Sequence, residues 1–193
     1  MKRTLIYCSL FGLTALGYFS ACNTSGAKTE ANAVITKDSL INRGKYLVLS
    51  MGCHDCHSPK KFGPNGPELD PERLLSGHPS NEPLKKFDKA VIKDYALFNF
   101  TGTALVGPWG SSYSANITSD ATGIGQWSEE QFIKCIRTGK SKGLDNGRPL
   151  LPPMPWQSYA QLNDTDLKSI FAYLQTVKPV DNVVPAPKQL SDL

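Results

Sequence analysis

The sequence predicts a mainly α domain whose helices gather around one short cysteine motif, with a long inserted loop and a short β-hairpin region in its middle. Three observations predict this. The run Cys53-His54-Asp55-Cys56-His57 fits a single helical turn. Residues 38–50, 128–138 and 163–177 repeat apolar side chains at helical spacing behind capping residues. Residues 58–125, in contrast, are broken by glycines and prolines and rich in aromatics, without that period.

Composition sets the outer bounds. The chain has 193 residues, 40% hydrophobic and 20% charged, which suits one globular domain with a long insertion. The net charge of +4 falls to +2 once Lys2 and Arg3 leave with a leader, so nucleic acid is not an expected partner. Residues 1–21 read as that leader. Lys2 and Arg3 give its positive start, and Leu5 to Phe19 is an apolar run too short for a comfortable membrane span. Phe19-Ser20-Ala21-Cys22 resembles a bacterial lipobox, with Phe19 where leucine is commoner. That implies loss of the signal peptide, lipidation of Cys22, and an exported lipoprotein anchored to a membrane and facing the periplasm or the cell exterior. The alternative is an ordinary secretory signal with Cys22 incidental. Residues 22–36, rich in Ala, Thr, Ser and Asn, read as a flexible tether, and residues 37–193 as one domain.

Asp38 to Ser50 is expected to be the first helix, capped by Asp38 and ended by Gly52, with Leu40, Gly44, Leu47 and Val48 on one face. Gly44 costs about 1 kcal/mol relative to alanine. Close approach of another helix at that point would repay it.

The motif follows at once. Cys-x-x-Cys-His is the attachment pattern of a c-type haem. The sulfurs of Cys53 and Cys56 add to the haem vinyl groups, and their spacing presents both to one porphyrin edge. His57 then lies under the iron as proximal ligand. A zinc site or a redox dithiol is the alternative. Zinc usually needs a second Cys or His pair, and a thioredoxin-type motif a βαβ setting; the sequence shows neither. One motif implies one covalent haem. Of five cysteines, Cys8 leaves with the leader and only Cys135 is uncommitted, so no intrachain disulfide is expected. His54 reads as an exposed spacer.

Ser58 to Ser80 reads as loop, since Gly63-Pro64-Asn65-Gly66-Pro67 suits neither a helix nor a central strand. Glu82 to Asp94, with Lys85, Lys86, Lys89 and Lys93, reads as a solvated short helix or loop; a docking patch for an acidic redox partner is the alternative. Short antiparallel strands are expected around Ala96–Thr101, Thr103–Val106 and Ser112–Ile117. Trp109 and Tyr113 stand there as candidates to cover a haem edge, or simply to pack.

Ser128 caps the next helix, Gln131 completes a capping box, and Gly139 stops it. Phe132, Cys135 and Ile136 face inward, which makes Cys135 a small core hydrophobe. Met154 stands among Pro152, Pro153 and Pro155. Stiff, extended chain of that kind suits a sulfur that must reach an iron, and no methionine other than Met154 follows the motif. A packing role is its alternative. Asn163 caps the last helix, Leu167, Ile170, Phe171 and Leu174 form its apolar face, and Pro179 stops it. The tail to Leu193 is expected to lie extended over the surface. Arg148 and Arg137 are the nearest cations for haem propionates, with Trp109 and Trp127 as N–H donors.

The helix before the motif, the Pro-Met loop at Met154 and a closing helix with Ala172-Tyr173-Leu174 resemble class I cytochromes c. The run Arg148 to Trp156 is similar to cytochrome subunits serving periplasmic alcohol and aldehyde dehydrogenases, and the lipobox style is Bacteroidetes-like. The resemblance implies a class I cytochrome c fold in which the first and last helices cross, with Gly44 under Phe171 or Tyr173. It implies that a Gly-Pro after the motif, at Pro67 or alternatively Pro64, supplies a carbonyl to the Nδ1–H of His57. It implies axial ligation by His57 and Met154 and single-electron relay between redox proteins: a dehydrogenase, a terminal oxidase or another cytochrome. Such subunits often hold several haems, whereas one motif stands here. Met154 follows His57 by 97 positions, longer than in most small members, and the excess is region 58–125. No catalytic residue is expected. The competing reading is a haem enzyme or gas sensor with a labile sixth site, in which His78 would be distal base or ligand, although a lone loop histidine is more often surface.

Overall fold

The computed structural model describes residues 36–193. The expected leader, the lipid site at Cys22 and all but the last residue of the tether lie outside them. Among the described residues the chain forms five helices and two small antiparallel sheets.

Helix α1 spans Lys37–Ser50 and α5 spans Asp164–Leu174. The α1 cap is Thr36, not Asp38: Ser39 N donates to Thr36 Oγ1 at 3.2 Å. Asp38 instead sits in the first turn, where its charge suits the positive helix end. Asn163 caps α5 as expected, accepting from Asp166 N at 2.8 Å. The two helices cross at Gly44. A Cβ there would lie 1.8 Å from Ser169 O and 2.8 Å from Tyr173 Cβ, so only glycine lets the backbones meet. Tyr173 therefore takes the position over Gly44, while Phe171 turns to Phe132, ring centroids 5.4 Å apart. Leu47 and Val48 of α1 join Leu167, Ile170 and Leu174 of α5 in the main core. Arg43 and Asp166 close the edge of the crossing with a 2.8 Å ion pair.

Helix α3, Glu129–Thr138, lays Phe132 and Ile136 into the same core, with Cys135 buried beside them. Ser128 accepts from Gln131 N at 3.1 Å, but Gln131 Nε2 donates to Lys142 O, so only half of the capping box forms.

The inserted region is not plain loop. Strands β1, Lys60–Gly63, and β2, Gly66–Leu69, form a hairpin through Pro64-Asn65, with Phe62 opposite Pro67. Pro67 fits because an isolated two-strand ladder has only edges. Residues 82–94 hold only one 3-10 turn, Val91–Lys93. Strands β3, Leu97–Phe98, β4, Ala104–Gly107, and β5, Gly110–Tyr113, form an antiparallel sheet in that order, shorter than expected. The tail is extended, but it is anchored as well. The buried Asn182 donates to Ser76 O and His78 O and accepts from Ser80 N, and Ser111 N donates to Lys188 O at 2.8 Å.

Candidate haem site

Gly52, at φ +70°, breaks the chain between α1 and the single turn α2, Cys53–His57. The turn brings Cys53, Cys56 and His57 together as free side chains on one short element. Burial pushes the Cys53 thiol up to about 11 and raises Cys56 as well. Both are thus neutral thiols in an apolar setting.

His57 is oriented from outside its own segment. Its Nδ1 lies 2.7 Å from Ala115 O. A carbonyl only accepts, so Nδ1 carries the proton and Nε2 keeps its lone pair free for a metal. Burial lowers the His57 pKa and the bond to Ala115 works against that, so the ring is held neutral. This corrects the Gly-Pro expectation. Pro67 is exposed on β2, carried away by the hairpin. Ala115 reaches His57 because residues 75–78 and 114–117 run side by side: His78 N donates to Ser114 O, Ile117 N to Leu75 O, and Gly77 N to His57 O at 2.8 Å. Gly77, at φ +77°, allows that approach; a Cβ there would stand 2.4 Å from Ser114 O.

Met154 is half-buried and packs against the main core, as do Cys53, Ile117, Trp127 and Tyr159. Its loop is tied to β5, where Ser112 Oγ donates to Pro152 O at 2.5 Å. The short helix α4, Trp156–Tyr159, follows it, and Tyr159 OH donates to Met51 O at 3.1 Å, next to the motif. Burial raises the Tyr159 pKa, with Cys53 and Cys56 close enough to add to the effect.

Other expected site residues are placed differently. His54 is half-buried rather than an exposed spacer, its Nδ1 2.9 Å from Ser58 Oγ. His78 is 1% exposed, against expectation for a loop histidine. Its Nδ1 meets Thr103 Oγ1 at 2.9 Å and its Nε2 donates to Glu82 O at 2.7 Å, so neither nitrogen is available to an iron. Arg137 is held by Asp164 and Ala160 O. Arg148 is exposed and has no carboxylate partner among the described residues, its Nη1 donating to Pro149 O. Trp109 is half-buried over Gly107 at the β4–β5 turn, with Nε1 donating to Ser112 Oγ at 3.4 Å.

The donor set fits a c-type haem. Two adjacent thiols, a neutral imidazole with a free Nε2, and half-covered apolar side chains on one core are what a covalently held planar apolar group requires. Among the described residues no three His, Cys, Asp or Glu side chains converge to hold a metal ion by themselves.

The chain is similar to cytochrome subunits of dehydrogenases. It is 31% identical over 182 residues to the fructose dehydrogenase cytochrome subunit of Gluconobacter japonicus, an alignment covering 93% of this chain and 30% of that one. It is 33% identical over 157 residues to the gluconate 2-dehydrogenase cytochrome c subunit of Pantoea cypripedii, covering 78% and 27%. It is 30% identical over 152 residues to the cytochrome c subunit of the alcohol dehydrogenase (quinone) of Gluconobacter oxydans, covering 78% and 24%. The chain thus spans at most about a third of the length of these curated relatives. The likeness is to electron-transfer subunits of dehydrogenases rather than to catalytic ones. No family model matches.

Sequence reasoning missed Ala115, Ser112 and Tyr159. Ser112 and Tyr159 act through side-chain hydroxyls that form no motif, and Ala115 acts through its backbone alone.

Proposed function

We propose that this chain is a one-electron carrier with a single haem c, joined to Cys53 and Cys56 and ligated axially by His57 and Met154, within a class I cytochrome c fold. The orientation of His57 carries this reading: Nδ1–H is spent on Ala115 O, so Nε2 is presented as a ligand. Bound there, the haem iron supplies a one-electron couple. The chain's own residues do the rest. Cys53 and Cys56 fix the group, Ala115 keeps the imidazole neutral and oriented, and Ser112 positions the loop of Met154. Thioether ligation and an apolar surrounding raise the potential. Of the two candidate arginines, Arg148 has no carboxylate partner among the described residues and is the one to meet a propionate. The electron partner is a dehydrogenase, a terminal oxidase or another cytochrome, and residues 22–36 tether the domain to a lipid on Cys22 after export and removal of residues 1–21. Region 58–125 is the inserted part of the fold, and it holds both ligand segments.

The test is the exported, purified protein and its Met154→Ala variant. The wild type should give a pyridine haemochrome of one haem c and the weak far-red band of sulfur-ligated oxidised haem. Met154→Ala should stay folded and red, lose that band, drop in potential and bind carbon monoxide readily when reduced. A variant that keeps band and potential removes Met154 from the ligand set. Labelling with radioactive palmitate, abolished by Cys22→Ala without change in the haem spectrum, tests the anchor.

A further inference from the structure

Large apolar side chains stand exposed beside the motif. Phe62 is 66% exposed, Phe98 55% and Phe100 71%. The rings of Phe62 on β1 and Phe100 after β3 sit 4.7 Å apart, joining two otherwise separate hairpins into one aromatic surface. A groove of about 520 Å³ runs on from it, lined by Leu84, Phe87, Leu97, Phe98 and Phe100. Contiguous exposed aromatics of this kind mark protein contacts.

The patch is charged on one side. Lys85 and Lys86 line the groove, and Lys61 adjoins Phe62. Among the described residues none of the three has a carboxylate partner within an ion-pair distance. The acidic neighbours include Glu68, which faces Lys61 across the hairpin, Asp70, which feels the Lys61 charge but is paired with Arg73 at 2.8 Å, and Glu82, which is shared with Arg73 at 3.9 Å.

The patch is also wired to the motif. Lys60 Nζ donates to Asp55 O at 2.5 Å and to Thr101 O at 2.7 Å, bridging the residue before Cys56 to the residue after Phe100. A Cβ on Gly102 would lie 3.1 Å from Asp55 O, so the loop bearing Phe100 rests on the α2 turn itself.

We propose that Phe62, Phe98 and Phe100, with Lys61, Lys85 and Lys86, form the docking face for a redox-partner protein whose contact surface is apolar at its centre and acidic at its rim. The proposal rests on the haem reading above. A partner seated there lies against the turn carrying Cys56, which gives the electron a short path. Unpaired lysines steer an acidic rim, and a small aromatic contact lets go quickly, as carrier encounters require.

The experiment uses the reduced, haem-loaded protein and oxidised plant plastocyanin, a copper protein with an apolar face beside an acidic patch. One electron leaves haem iron and reduces Cu(II) to Cu(I). Stopped-flow rates are compared for wild type, a Phe62→Ser/Phe98→Ser/Phe100→Ser variant, a Lys61→Glu/Lys85→Glu/Lys86→Glu variant, and a control with Lys45→Glu and Val183→Ser. Both patch variants should slow transfer by about tenfold or more, the lysine variant should lose the salt dependence, and the control should keep the wild-type rate. The phenylalanine variant should still react normally with ferricyanide, which needs no docking face. Single substitutions Phe100→Ser and Lys86→Glu, checked for an unchanged haem spectrum, stand in if a triple variant does not fold. Patch variants that match wild type, or a control that slows equally, overturn the proposal. Patch-dependent binding to phosphatidylglycerol vesicles, or a patch-dependent dimer, with the plastocyanin rate unaffected, overturns it in favour of a membrane or a second copy. A wild-type protein without haem absorption fails the functional reading instead.

Discussion

The α1–α5 crossing and the inserted region 58–125 are held by different physics. At the crossing, bare backbone and apolar side chains meet: Gly44 lies on Ser169, and Leu47, Val48, Leu167 and Leu174 are nearly or fully buried. The inserted region buries apolar side chains too, among them Leu75, Ile92, Leu105, Val106 and Ile124, and adds polar groups that reach main chain. Ser58, Lys60, His78 and Asn116, helped by Asn182 of the tail, each make several hydrogen bonds. Apolar contact is strong and undirected; hydrogen bonds are weaker net but set position. Both regions therefore supply stability, and the inserted region adds the aim of His57 and of the Met154 loop.

That division can be broken most sharply at Gly44. Gly44→Val forces a side chain into the Ser169 carbonyl, and should cost more than about 4 kcal/mol, leaving little folded protein in a urea titration. A midpoint near wild type would mean the helices do not cross as described. Leu167→Ala should cost about 2–5 kcal/mol, yet leave the haem spectrum and potential of the surviving folded fraction unchanged. Ser112→Ala should do the reverse. It releases Pro152 O and costs only about 0.5–1.5 kcal/mol, but cyanide should displace the sixth ligand faster than in wild type. If Leu167→Ala speeds cyanide binding more than Ser112→Ala, stability and aim are not separable.

The smallest effect is in pH. Burial lowers the His78 pKa in the folded protein, outweighing the bond to Glu82 O and the Glu82 charge, while Tyr113 stacks on the ring and Thr103 meets Nδ1. The unfolded chain then binds the proton more readily, so stability is full above the ordinary histidine value near 6.5 and falls as pH drops through it. His78→Gln should lower stability at pH 7.5 while flattening its decline toward pH 5, read from urea midpoints at the two values. An unchanged pH slope in the variant would assign that decline elsewhere.

The helices were legible because their signals are local. Ser128 and Asn163 announce their own caps, Leu167, Ile170 and Leu174 fall at helical spacing, and the cost of Gly44 made sense only as a crossing. The grouping of Cys53, Cys56 and His57 on one turn was legible from their spacing. The second partner of His57 was not, because Ala115 gives a carbonyl that any residue possesses. Pro67 had the right neighbours in sequence, but a two-residue turn sends it outward. His78 looked like surface because its burial depends on Thr103, 25 residues away, taking one of its nitrogens. In each miss the decisive contact is a backbone atom or a distant side chain, neither of which leaves a periodic trace.

Ser112 of β5 holds the Met154 loop, and Ala115, three positions on and just beyond the strand, holds His57, about 10 Å further along extended chain. Were His57 and Met154 to ligate an iron as proposed, this segment would act as a gauge block between imidazole and thioether. With both segments held to one piece of chain, gaining or losing an electron would change charge without changing span. Little nuclear rearrangement would then oppose the transfer, and a carrier so built could hand its electron on across a small driving force.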